Sequence, residues 1–251
     1  MSKPLLKATR EDVYNAPIIP WNNGTYTPLP NSQIMNLIDT KIHDLGLSVQ
    51  SQEYKVAVTQ QGLIKGVIGS YNVATSDGEF GQKIMFRNSY DKSMSFAVVM
   101  GTIVWICSNG CVSGDYQYKR VHRGVLLEDM TTTERDVIES INGGFQMLQT
   151  SFEHNVSQLN ELKHYEMSPD EAFQLLGQLF FIKKVITISQ MSIIKRELEF
   201  SHNFCHLGDT AFTAFDLYNH ITESLKTSHP STYINDHIET HSLFEHTFNL
   251  K

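Results

Sequence analysis

The stretch Phe80-Gly-Gln-Lys-Ile-Met-Phe-Arg-Asn-Ser-Tyr-Asp-Lys-Ser-Met-Ser-Phe-Ala-Val-Val-Met-Gly-Thr-Ile-Val-Trp-Ile106 decides how the rest of the chain is read. Two runs rich in Ile, Met, Phe and Val flank the turn residues Tyr90-Asp91-Lys92-Ser93, the pattern of two antiparallel strands joined by a hairpin. The second run, Met94 to Ile106, is apolar enough for a central strand. Upstream, Tyr54 to Thr59 and Leu63 to Val73 are set off by Gln61-Gly62 and Ser76-Asp77-Gly78, so a four-strand meander is expected, with Phe80 to Asn88 as its third strand. Before it, Asn31 or Ser32 can cap a helix whose Ile34, Leu37, Ile38, Ile42 and Leu45 recur at helical spacing, with Gly46 placed to end it. Residues 1–30 hold five of the seven prolines and read as an irregular arm.

Beyond residue 130 the period changes. Val137, Ile141, Phe145, Leu148, Phe152, Val156, Leu159 and Leu162 form one heptad-type stripe on a long helix. That stripe is expected to pack within the chain, with an oligomer contact as its alternative use. Ser168-Pro169-Asp170-Glu171 combines a cap, a proline at the first helical position and a capping-box glutamate, followed on one face by Phe173, Leu176, Leu179 and Phe180. A third helix is expected from Asp209 or Thr210, carrying Phe212, Phe215, Tyr218 and Leu225, and broken at His229-Pro230. The expected fold is α+β, an N-terminal helix plus antiparallel β-meander packed with a C-terminal helical half. Its parts are an arm over 1–30, helix and sheet over 31–130, helices of the same domain over 131–226 and a His-rich tail over 227–251.

With 251 residues and 41% hydrophobic content the chain can bury a core without staples. Even Met94 to Cys107 is interrupted by Ser95 and Gly101, well short of the roughly 18 to 20 apolar residues of a membrane span. The first residues lack an apolar core of signal-peptide length, and three cysteines suggest no disulfide framework, so a cytoplasmic protein is expected. The net charge of −7 argues against a uniformly basic coat for nucleic acid. Residues 1–130, however, carry 12 Lys and Arg against 11 Asp and Glu, whereas residues 131–251 carry 8 against 16. An anion-binding face therefore belongs to the first half.

Two stretches are more than generic. Arg87-Asn-Ser-Tyr-Asp-Lys-Ser93 leads through the apolar strand to Cys107-Ser-Asn-Gly110 and His122, and Thr213-Ala-Phe-Asp-Leu-Tyr-Asn219 is followed by Thr222-Glu223. In this order, over about residues 26 to 226, they resemble the phage- and plasmid-borne family called domain of unknown function 932. Phe215 stands where that pattern usually has tryptophan and His220 where it usually has alanine. The resemblance implies an origin in a bacteriophage or another mobile element, and supplies no reaction.

The best candidate for an anion site is Tyr116, Tyr118, Lys119, Arg120, His122 and Arg123, where cations sit beside aromatic rings as single-strand binders require. The plainer account of the same cluster is an edge strand guarded by positive charge. Cys107 with His122 as base could make a nucleophile, but the Asn-Gly turn explains the segment on conformational grounds. Cys107, Cys111, Cys205, His202 and His206 have donor atoms suited to zinc, yet their spacing does not form two compact ligand pairs. The histidines after residue 226 are expected to be exposed in a polar tail. No Gly-x-x-x-x-Gly-Lys-Ser/Thr loop is present. The expectation is a non-enzymatic accessory protein acting by binding, without metal or cofactor, with single-stranded nucleic acid as first ligand and a homo-oligomer as possible form. A counter-defence protein that binds a host protein or signalling nucleotide is the alternative, and a metal- or thiol-dependent enzyme on Cys107, Cys111 and His122 the second.

Overall fold

The computed structural model describes residues 6–19, 28–75, 78–105, 109–111, 117–120, 126–127 and 130–251. Strand β1 (Leu6–Ala8) and helix α1 (Arg10–Tyr14) come first, then helix α2 (Asn31–Asp44). The long strands β2 (Val49–Val58), β3 (Ile64–Val73), β4 (Phe80–Ser89) and β5 (Phe96–Val104) follow as the expected meander, every neighbour antiparallel. The 1–30 segment is thus not irregular throughout. Leu6–Ala8 adds an edge strand to β2, and Thr9 opens α1 through a capping box with Asp12.

On the far side of β5 lie two short strands, β6 (Asn109–Cys111) and β7 (Gln117–Arg120), both antiparallel to it. Continuing the register that pairs Thr102 with Cys111 would place Gln117 opposite Phe96. Arg120 pairs there instead, so this edge holds three extra residues between its two pieces. With β5 flanked on both sides, its apolar run is indeed that of an interior strand. The two-residue pair β8 (Leu126–Leu127) and β9 (Met130–Thr131) precedes α3 (Thr132–Leu162).

One face of the sheet is apolar. Tyr54, Val56, Val67, Tyr71, Ile84, Phe86, Val98 and Met100 pack there under Ile34, Met35, Ile38 and Ile42 of α2 and Val137, Ile141, Phe145 and Leu148 of α3. Gly69 is required on this face, since a Cβ would lie 2.3 Å from the Phe86 ring. The second half of the α3 stripe, Phe152, Leu159 and Leu162, turns to the helical core. The heptad-type seam is therefore spent inside the chain, shared between two cores.

The hairpin Arg87–Ser93 explains how α2 starts. Pro30 occupies the N-cap position with no side-chain cap, in place of the expected Asn31 or Ser32. The Asn31 amide donates instead to the Tyr90 hydroxyl (2.8 Å), while Asn88 Nδ2 donates to the Leu29 carbonyl and Asn31 Oδ1, each at 2.8 Å.

The helical half holds α4 (Pro169–Gly177) running into a π-helical turn (Gln178–Ile182), α5 (Ile188–Phe200), α6 (Ala214–Leu225) and α7 (Pro230–Phe248). Ser168, Thr187 and Thr213 each close a capping box, with Glu171, Gln190 and Asp216. The third expected helix thus begins at Ala214 rather than at Asp209 or Thr210, and α5 went unread. Phe173, expected on the buried face of α4, is exposed, whereas Leu175, Leu176 and Leu179 are buried.

The expected tail is α7, and its histidines are not all exposed. His237 and His241 are buried, and Pro230, read as a helix breaker, is the first helical position after the His229 cap. Gln158 Nε2 donates to Glu245 Oε1 (2.9 Å), which leaves Gln158 Oε1 to accept from His241 Nε2 (2.8 Å). His241 Nδ1 then accepts from the Tyr218 hydroxyl (3.3 Å), so α3, α6 and α7 share one buried polar chain. Among the described residues no helix is long and apolar enough to cross a membrane.

Candidate functional site

The other face of the sheet carries charge. Strand register aligns Lys7, Lys55, Ile68, Arg87 and Ala97 in one row, and Glu53, Ser70, Met85 and Val99 in the next. A third row runs from Ser51 through Asn72 to Lys83. Side chains alternate between faces along a strand, so Ser51, Glu53 and Lys55 of β2 and Lys83 and Arg87 of β4 bring polar groups to this side. Helix α7 covers its middle, where Met85, Ala97 and Val99 pack with Ile234, Tyr233 and Ile238. Arg87, 5% exposed, fastens that cover by donating to the Ser231 carbonyl at 2.7 Å while holding Ser95 through its carbonyl and hydroxyl oxygens.

Beside the cover, toward β1, lies a cavity of about 330 Å³. Lys7, Lys55, Lys83 and Lys226 line it with Glu53 as the only carboxylate, and Ser70, Ser228 and Tyr233 add hydroxyl groups. Four cations facing one anion in a chain of net charge −7 is a local inversion of sign. Each group is positioned by a different element. Lys7 pairs with Lys55 across β1 and β2, Lys83 projects from β4 and is only 5% exposed, and Lys226 is the C-cap of α6. Ser228, in the turn between α6 and α7, is held by Gln190 Nε2 at 2.8 Å.

Lys55 Nζ donates to the Lys226 carbonyl (2.6 Å) and lies 5.9 Å from the centre of the Tyr233 ring. Burial pushes its ammonium below the ordinary lysine value, against an opposing pull from Glu53. Burial also raises the Tyr233 phenol, with Glu53 and Glu223 adding to the shift. The Tyr233 hydroxyl therefore stays protonated and able to donate. Lys226 Nζ donates to Glu223 Oε2 at 2.6 Å, which holds the carboxylate beside the cavity. A site with ammonium groups, hydroxyl donors and an apolar wall from Ile68 and Met85 suits a phosphate-bearing ligand with a less polar body.

The residues singled out in the sequence fare differently. Tyr116, His122 and Arg123 lie outside the described residues, as does Cys107. Tyr118, Lys119 and Arg120 fall on β7 and pair with Val98, Ala97 and Phe96, at the sheet edge opposite β1. The row through Lys7, Lys55, Ile68, Arg87 and Ala97 ends on Lys119. Of the zinc candidates, His206 Nε2 is 3.0 Å from the Ser201 carbonyl oxygen, and burial raises the Cys205 thiol. Among the described residues no three His, Cys, Asp or Glu side chains are grouped to hold a metal ion.

The cavity lysines went unread because they are far apart in the sequence, three on separate strands and Lys226 at the end of α6. A signal was present in Lys83 and Arg87, two cations four apart on one face of a strand and flanking the apolar run Ile84-Met85-Phe86. The motif residues of the late helix are structural: Asp216 caps α6 and its Oδ1 accepts from the Cys205 amide (3.1 Å), and Asn219 Nδ2 donates to the Phe215 carbonyl (2.8 Å). His220, in place of the usual alanine, is buried, with Nε2 2.9 Å from the Cys205 carbonyl oxygen and its ring stacked on Phe212.

Neither the curated proteins nor the solved structures provide a match to the chain. A family profile does, across residues 22–242, which span α2, the strands from β2 onward and the helices as far as Ser242 in α7, but not β1 with Lys7. The chain therefore belongs to the family described as domain of unknown function DUF932.

Proposed function

We propose that this protein acts by binding rather than by catalysis, and that its ligand is a compact phosphate-bearing molecule of nucleotide size held in the sheet-face cavity. The observation that carries the reading is the lining itself, four lysines against one glutamate around about 330 Å³. Lys55 and Lys83 would meet the phosphate, Ser70 would donate to a remaining oxygen, and Tyr233 with Met85 would contact the less polar part. A long single strand fits this face poorly. Helix α7 packs on Met85, Ala97 and Val99, between the cavity and the β7 edge, where an extended strand would have to pass. The reading suits the accessory role in a mobile element that the family resemblance implies, in which such a protein would sequester a signalling nucleotide of the host.

The test is calorimetric titration of the purified protein with adenosine monophosphate, adenosine triphosphate and a single-stranded oligonucleotide at two salt concentrations. Saturable nucleotide binding at one site per chain, weakened by about tenfold or more in Lys83→Ala, is expected, since a charge-assisted contact is worth about 1.5–3 kcal/mol. Tight oligonucleotide binding with a steep salt dependence, unaltered in Lys83→Ala, would overturn the cavity reading in favour of a nucleic-acid surface elsewhere.

A further inference from the structure

The helical half presents a second surface of opposite character. Between α4 and α5 runs a groove of about 780 Å³ whose floor is Leu176, Ile194 and Leu198, with Phe173, Phe181 and Phe200 among its lining. Those three rings are 56%, 75% and 68% exposed, and Ile182 and Ile188 next to them are 73% and 76% exposed. The described residues hold eleven exposed large hydrophobic side chains, and these five fall in the single segment 173–200. Side chains scattered singly need no explanation, but a contiguous set this exposed marks an interaction surface.

The local structure keeps the surface exposed. The π-helical turn Gln178–Ile182 adds a residue to the helical turn and carries Phe181 and Ile182 out of the core stripe. Phe180, which packs against the core, braces Phe181 edge-on with ring centres 4.7 Å apart. Phe181 thus projects from the edge of the depression. Ile188 and Met191, followed by Lys195 and Leu198, extend the same stripe along α5 at helical spacing.

We propose that this groove is the contact surface for a second copy of the same chain, related by a two-fold axis. A projection and a depression on one face are what an isologous contact requires, because the axis seats each copy's Phe181 in the other's groove. Charge points to the same occupant. Residues 131–251 carry 8 Lys and Arg against 16 Asp and Glu, so a second copy of this acidic half is best met where the charge is balanced. The groove rim is balanced, with Lys195 and Glu199 one turn apart, 3.9 Å between their charged atoms and both side chains well exposed. Two antiparallel α5 helices crossing midway between these residues bring each Lys195 to Glu199 of the second copy. This contact is separate from the α3 stripe, which is consumed inside the chain.

Light scattering coupled to gel filtration of the full chain over a dilution series tests the inference. The expected mass is about twice that of the 28.6 kDa chain. Phe181→Glu with Ile188→Glu gives a monomer with unchanged circular dichroism, since both residues are exposed and their replacement leaves the core intact. Lys195→Glu alone weakens the dimer by about tenfold through two like-charge contacts, and Lys195→Glu combined with Glu199→Lys restores it. A wild-type chain that is monomeric throughout, or a Phe181→Glu/Ile188→Glu variant that remains dimeric, overturns the proposal. Failure of the double reversal to restore the dimer overturns the antiparallel arrangement. Nucleotide titration of the same variants reads the cavity independently, so either proposal can fail without the other.

Discussion

At the scale of single residues the cavity works against its own stability. Lys55 has its ammonium held below the usual lysine value by burial, so the folded chain binds that proton less firmly than the unfolded chain does. The sign follows from proton linkage: the unfolded state holds more protons between the lowered value and the ordinary 10.5, and stability rises with pH through that interval. At neutral pH the charge is therefore a cost, which a bound anion would offset. Lys55→Met is expected to remove this rise of melting temperature with pH below 10.5, while losing nucleotide affinity. Thermal melts and titrations on the one variant check both halves. His220 behaves in the same sense at lower pH. Burial depresses its imidazole below the ordinary 6.5, so the unfolded chain takes up the proton first and stability falls as pH drops below about 6.5. Melting temperature against pH should therefore decline less steeply between pH 7 and 5 in His220→Ala than in the wild type, although the variant starts lower because of the cavity it opens.

At the scale of elements, α7 is the piece on which the account turns. Its removal would uncover Met85, Ala97 and Val99, take away the Ser231 carbonyl that holds Arg87, and break the chain from Gln158 through His241 to Tyr218. A protein ending at His229 should therefore lose its cooperative unfolding transition, measured by circular dichroism, whereas loss of an exposed tail would leave it intact. The sequence concealed this element. Pro230 reads as a breaker when approached from α6 and as a first helical position when approached from α7, and two of the histidines that suggested a solvated tail, His237 and His241, are buried, His241 within the polar chain. What was legible followed from period and caps. The meander showed in Val, Ile and Phe runs between turns, α3 in its stripe, and α4 in Ser168-Pro169-Asp170-Glu171. The cavity was not legible, because Lys7, Lys55, Lys83 and Lys226 meet only through strand register and a helix end 171 residues from Lys55.

For the whole molecule, two cores share one long helix and leave two surfaces of opposite kind. The sheet side offers a small cationic cavity bordered by α7, and the helical side offers an apolar groove set in an acidic half. A dimer formed through the grooves would leave both cavities open, so ligand and second copy would bind without competing. The central claim is that the cavity holds a compact phosphate-bearing ligand. It is tested most directly by measuring the acetylation of individual lysines by mass spectrometry with and without saturating adenosine triphosphate. The account predicts that Lys55, Lys83 and Lys226 are protected together, while exposed Lys195 is not. Equal labelling of all four with and without the nucleotide would contradict it.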